Sequence, residues 1–243
     1  MQENTRRTLL IRKNRVHRKI KLLRGARYSV GIDEVGRGSL AGPVTVAAVA
    51  MPNSLIKLKS FSRIFANKNS GRIRDTPLRD SKKLSPKQRE EWFSFIQEHP
   101  KINYAVASVY PRNIERMNIS RAANLAALRA FRRLSTRYSL LSTRCLVYLD
   151  GGLYLGSSKW QMANGKSAKT VTKGDEKFTA VKLASIMAKV SRDRFMTRLA
   201  KKYPVYGFEI HKGYGTKTHT KAIKKHGPSE AHRLTFIGKY YKK

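Results

Sequence analysis

The chain has 243 residues, 40% of them hydrophobic, which suffices for one good-sized domain with a packed core and excludes general disorder. Lys and Arg number 52 against 15 Asp and Glu, a formal net charge of +37, so a compact state repels itself unless a polyanion offsets the charge. A single Cys excludes an internal disulfide, and no run approaches the ~20 apolar residues of a membrane span.

Residues 1–27 carry ten Lys or Arg and one acid, with no apolar core of signal-peptide length, and read as a basic arm. The expectation is a cytoplasmic monomer that binds nucleic acid and no membrane. Tyr28 to Ile32 predicts a buried strand, and "PVTVAAVAM", 43–51, a second. Residues 53–79 are basic and polar and read as a loop or insertion. Ser85 and Pro86 are a helix start, N-cap and first helical position, for a helix to about Glu98. "YAVASVY", 104–110, predicts a third strand. A long helix from about Asn113 to Ser135 follows, with Ala122, Ala126 and Ala130 on one face. "RCLVYLD", 144–150, is a fourth strand that buries Cys145, and "AKTVTKG" a short fifth. Asp175 reads as N-cap of a helix over 176–201. Thr216 caps a last helix that stops at Gly227 and Pro228. The pattern is α/β, a mixed central sheet flanked by helices, with a small helical C-terminal part.

Asp33 and Asp150 each end an apolar strand, and strand ends of open α/β sheets are where ligand sites form. Ile186, Val190 and Asp193 fall at helical spacing, so the face that packs on the sheet also carries Asp193. Three elements thus deliver Asp33, Glu34, Asp150 and Asp193 to one place. Crowded carboxylates repel unless a cation joins them. Mg²⁺ takes oxygen ligands, and two such ions ~3.5–4 Å apart serve phosphodiester hydrolysis. Among other chemistries, the His spacings do not suit zinc, and neither a Walker-type glycine loop nor a Gly-x-Ser-x-Gly elbow occurs. The rival reading is a non-catalytic basic protein bound to the ribosome or nucleoid. Charge fits both readings; the four acids fit only a nuclease.

The stretches "GIDEVGRGSLAGPV", "RDSKKLSPKQRE", "YLDG", "VTKGD", "ASIMAKVSRDR" and "HKGYGTKTHTKAIKKHGPSEAHRLTF" resemble ribonuclease HII, in that family's order, over residues 28–237. The resemblance implies an RNase H-like fold and an endonuclease using Mg²⁺ or Mn²⁺. It implies cleavage of the RNA strand of RNA–DNA hybrids and 5′ of ribonucleotides embedded in duplex DNA, leaving 3′-hydroxyl and 5′-phosphate ends. Asp33, Glu34 and Asp150 match the family's metal ligands, and Asp193 its fourth active-site carboxylate. Gly36, Arg37 and Gly38 match the segment that grips the ribonucleotide, and Tyr214 the tyrosine at the ribose. Glycines let backbone N–H and C=O groups approach a 2′-hydroxyl, the group that separates RNA from DNA. Lys82 and Lys83, after Asp80, are candidate phosphate contacts. The implied organisation is the arm at 1–27, a catalytic domain at 28–202 and a helical substrate-binding region at 203–243.

Overall fold

The computed structural model describes residues 27–57, 78–79, 81–138, 145–156 and 167–241. The arm before Arg27, most of the 53–79 insertion and residues 157–166 lie outside the described residues.

Strand β1 (Tyr28–Val35) pairs antiparallel with β2 (Val44–Pro52), and β2 antiparallel with β3 (Asn103–Val109). On its other edge β1 pairs parallel with β4 (Cys145–Asp150), which pairs parallel with β5 (Ser167–Val171). The mixed sheet therefore runs β3-β2-β1-β4-β5. Strand β2 is buried over its whole apolar run because both faces are covered. Val44, Val46, Ala48 and Ala50 enter one core, and Ala47, Val49 and Met51 the opposite one, as the two-residue alternation of a strand requires.

After β2 comes a short helix α1 (Asn53–Lys57). Helix α2 (Pro86–Glu98) starts where predicted: Ser85 accepts from the Gln88 N–H, and the Gln88 side chain accepts from the Ser85 N–H. The long helix expected over 113–135 is two helices, α3 (Pro111–Met117) and α4 (Ile119–Arg137). Asn118 breaks it at φ 66°, and its side chain accepts from the Arg121 N–H to cap α4. Ala122, Ala126 and Ala130 bring α4 close against one face of the sheet. The other face is covered by α2 and by α6 (Thr179–Lys202).

Asp175 does not cap that long helix. It lies inside a separate turn, α5 (Gly174–Lys177), and Phe178, in extended backbone, stands at the start of α6. Two features hold this turn apart from the helix: Lys173 takes the left-handed region, and the Gly174 N–H is drawn to Asp150 on the end of β4. Helix α6 crosses β1 at Gly31, where an added Cβ would lie 2.1 Å from the Ala180 carbonyl carbon. Only glycine permits that approach.

The C-terminal part comprises α7 (Phe208–His211), α8 (Lys217–His226) and α9 (Leu234–Ile237). Thr216 and Gly227 bound α8 as predicted. Tyr206, Phe208 and Ala231 pack with Met196 of α6 and with Ala41, in the loop after β1. No helix among the described residues is long and apolar enough to cross a membrane.

Candidate active site

The pairing of β1 with β4 ends at Ile32↔Leu149, so Asp33 and Asp150 are the next residues on neighbouring parallel strands. On its other side β1 stays paired through Val35, and Asp33 and Glu34 lie within the strand rather than beyond it. The sheet opens there at carboxyl strand ends, the usual place for a ligand crevice in an open α/β sheet. Ligand oxygens of Asp33, Glu34 and Asp150 all lie within 4.8 Å of one another. They line a cleft of about 280 Å³ together with Val35, Ser81, Lys82, Ser185, Lys189 and Tyr214.

The cleft is electrostatically strained as it stands. Burial pushes the Asp33 carboxyl well above the ordinary carboxylate range, and the neighbouring Glu34 charge adds to this. A Ser185 hydroxyl and the Glu34 N–H, 2.7 Å from Asp33 Oδ1, oppose it only in part. Burial also raises Glu34, against the pull of Arg37 at 3.2 Å. Glu34 Oε2 is buried with no hydrogen-bond partner among the described residues. Three convergent carboxylates, one with an orphaned oxygen, suit a hard divalent cation that accepts oxygen ligands.

The remaining predicted residues divide. Gly36 has φ 87°, and an added Cβ would meet Arg192 Nε at 2.3 Å, so the turn out of β1 requires glycine. Arg37 reaches back to Glu34, to Ser120 Oγ at 3.2 Å and to the Gly152 carbonyl at 3.5 Å. Gly38 is exposed, with open space where a Cβ would stand. Tyr214 lines the cleft, its ring 5.7 Å from Lys189 Nζ. Lys82 lines the cleft and lies 3.6 Å from Asp175, whereas Lys83 is exposed and lies outside the cleft lining.

Asp193 is not brought into the three-carboxylate group. It lines the adjoining groove and accepts from Lys189 at 3.0 Å. The helical spacing placed it on the right face of α6 but not at the right height. Ser185 is the α6 residue at Asp33, and eight residues at 1.5 Å each carry Asp193 about 12 Å further along. Two cleft-lining residues of α6, Ser185 and Lys189, were missed, although their i, i+4 spacing within "ASIMAKVSRD" was available. Asp175 was read only as a cap. It is 5% exposed and follows Gly174, whose N–H lies 2.6 Å from Asp150 Oδ1.

The family model described as Ribonuclease HII matches residues 30–239. The chain belongs to the ribonuclease HII family. Ribonuclease HII from Caldicellulosiruptor bescii is 40% identical over 214 residues, covering 88% of each chain. Among solved structures, ribonuclease H2 from Pyrococcus horikoshii shares the fold with a TM-score of 0.61 at 24% identity, over 89% of this chain and all of that one. Bst-RNase HIII in complex with Mn²⁺ does so with a TM-score of 0.59 at 18% identity, over 87% of this chain and 67% of that one. As a ribonuclease HII this chain is an endonuclease of the RNase H fold, acting on nucleic acid with divalent metal. Val35, which precedes the "GRG" segment, and Tyr214 of "GYG" line one cleft although they are distant in sequence.

Proposed function

We propose that this ribonuclease HII cuts the RNA strand of RNA–DNA hybrids and cuts 5′ of single ribonucleotides embedded in duplex DNA, giving 3′-hydroxyl and 5′-phosphate ends. The observation that carries the reading is the meeting of Asp33, Glu34 and Asp150 within 4.8 Å, in a cleft that Tyr214 also lines. Asp33, Glu34 and Asp150 hold the divalent ions, Mg²⁺ or Mn²⁺; a ribonuclease HIII of similar fold is known with Mn²⁺. Such ions, when bound, activate a water and stabilise the leaving oxygen of the phosphodiester.

The chain's own groups do the rest. The Gly36–Gly38 turn lets the backbone meet the sugar, and the Tyr214 ring packs on it. Arg37 supplies a phosphate contact while keeping Glu34 oriented. Lys82 and Lys189 set positive charge at the cleft wall for the scissile region, with Lys83 a further backbone contact outside it. Asp193 acts through Lys189, which it holds, and the Gly174 N–H of the adjoining turn supports Asp150. Residues 203–243 present Tyr214 and the α8 lysines to the duplex, residues 28–202 carry the chemistry, and the arm adds affinity.

The test is a duplex bearing one ribonucleotide and a continuous hybrid, each incubated with the protein in Mg²⁺, in Mn²⁺ and in chelator. Cleavage 5′ of the ribonucleotide in metal and none in chelator is the expected result. Tight binding without cleavage in either metal would overturn the reading in favour of a non-catalytic binder.

A further inference from the structure

The segment that grips the ribonucleotide hangs from two arginines that line no part of the cleft. Arg192 and Arg233 are both fully buried, and neither forms an ion pair among the described residues. Their charges are met by one hydroxyl and by backbone carbonyls. Arg192 donates from Nε to Pro43 O at 2.8 Å, from Nη1 to Lys212 O at 2.9 Å, and from Nη2 to Ala41 O at 3.0 Å and Ser39 Oγ at 2.8 Å. Arg233 donates from Nε to Gly42 O at 3.0 Å, and from Nη1 to Arg37 O at 2.8 Å. Its Nη2 donates to Gly36 O at 2.7 Å and Gly42 O at 2.9 Å. Ser39 Oγ in turn donates to Gly36 O at 2.8 Å, which completes a chain from Arg192 to the first glycine of the turn.

Buried cations without counter-ions are costly, and apolar side chains of similar size would fill such sites more stably. Burial lowers the Arg233 guanidinium to about 9, which still leaves it charged at neutral pH. What the two charges achieve is visible in the peptide planes. None of the described peptide bonds is cis, and in a trans peptide the C=O and N–H point opposite ways. Drawing the Gly36 and Arg37 carbonyls inward turns the N–H groups of Arg37 and Gly38 outward, and neither N–H has a partner among the described residues. Further along, the Leu40 and Ala41 N–H groups both donate to Gly213 O, at 2.8 and 3.2 Å. Gly213 precedes Tyr214, whose ring centroid lies 5.4 Å from the Arg192 guanidinium.

We propose that Arg192 and Arg233 are positioning residues that hold the Gly36–Gly38 turn and Tyr214 in one fixed relation, so that selectivity for an isolated ribonucleotide is set from beneath the cleft. The inference rests on the nuclease reading above and concerns how that site is kept in shape. A loosened turn tells most where only one 2′-hydroxyl is present. A continuous hybrid offers one at every nucleotide of the RNA strand, so a misplaced turn still finds partners.

The experiment compares wild type with Arg192→Lys, Arg233→Lys and Ser39→Ala. It measures kcat and KM on a duplex with one ribonucleotide and on a continuous hybrid, together with Tm and with duplex Kd in chelator. Lysine keeps the charge but loses the fork that reaches several carbonyls at once. Each variant is expected to lose about tenfold or more in kcat/KM on the single ribonucleotide relative to the hybrid, as loss of a charge-assisted hydrogen bond implies. Duplex Kd should stay within about twofold. Ser39→Ala removes one hydroxyl and carries the test if either lysine variant fails to fold. Equal losses on the two substrates, following the drop in Tm, would overturn the proposal and leave the arginines as packing. A wild-type chain inert on both duplexes would instead overturn the nuclease reading, and this inference with it.

Discussion

Asp33 is held in a place that penalises its charge. A buried carboxyl whose folded pKa is raised destabilises the metal-free fold as pH rises above the ordinary carboxylate range, because the folded state retains a proton the unfolded state has lost. Asp33→Asn, nearly isosteric, should therefore melt at a temperature equal to or above wild type in chelator, while cleavage in Mg²⁺ falls by about a thousandfold or more, in keeping with loss of a metal-bound centre. A lower Tm or substantial residual cleavage would remove Asp33 from the metal site. Tyr214→Ala should cost more on an isolated ribonucleotide than on a hybrid; equal losses would take Tyr214 out of recognition. At this scale the site was partly legible. Asp33, Glu34 and Asp150 stood out as a set, since an acid that closes one apolar run is by itself often only a turn residue. Asp193 misled because periodicity defines a face and says nothing of distance along the axis. The turn that holds Asp175 was hidden by a polar neighbourhood, since it is fixed by the Gly174–Asp150 contact, which is tertiary.

The elements were legible where one residue type dominates. Strands β2 to β4 showed by their Val, Ala and Leu content, and α2 and α8 by their caps. The break at Asn118 was not, because a positive φ at Asn is chosen by what α3 and α4 pack against. Gly31 is an element-level contact that a single methyl would break. Gly31→Ala places a Cβ 2.1 Å from Ala180 backbone, so α6 must move off β1. Overpacking of this kind costs about 1–3 kcal/mol or more, to be read as a drop in Tm and in urea midpoint. A wild-type Tm would show that α6 slides freely. The C-terminal part carries an acid-sensitive pair of opposite sign to Asp33. His219 and His232 are buried with ring nitrogens 3.1 Å apart, and burial holds both down to about 4. The unfolded chain binds their protons near 6.5 and the folded chain only near 4, so stability is full above that window and is lost as pH falls through it. One such group is worth about 3 kcal/mol at most. His219 Nδ1 also donates to the Tyr214 carbonyl at 2.9 Å, a bond that protonation keeps, so acid acts on the His219–His232 contact. Tm followed from pH 7 to pH 5 should fall, and His232→Asn should flatten that fall; an unaltered slope would locate the acid response elsewhere.

For the whole molecule, net charge sets the terms. Ten of the 52 Lys and Arg precede Tyr28, outside the stretch that matches the family. Each phosphate neutralised contributes about −0.9 to the slope of log affinity against log salt. If roughly four arm cations engage duplex, a chain beginning at Tyr28 should bind with a slope flatter by about 3 to 4, at unchanged kcat. An unchanged slope with a lower Tm would make the arm part of the packed structure instead.

The register of β1 on β4 has a consequence for how the enzyme comes into being. Ile32 and Leu149 are the last paired residues before the acids, and more than a hundred residues of chain separate them. The β1–β2 hairpin can close early and locally, but the cradle for metal exists only after this long-range parallel closure, the kind of step that slows folding. Asp33 and Glu34 alone are an incomplete cradle, so a nascent or partly folded chain has no nuclease to misdirect. Recovery of Mn²⁺ binding during refolding should then coincide with the slowest phase and lag behind the recovery of helical signal.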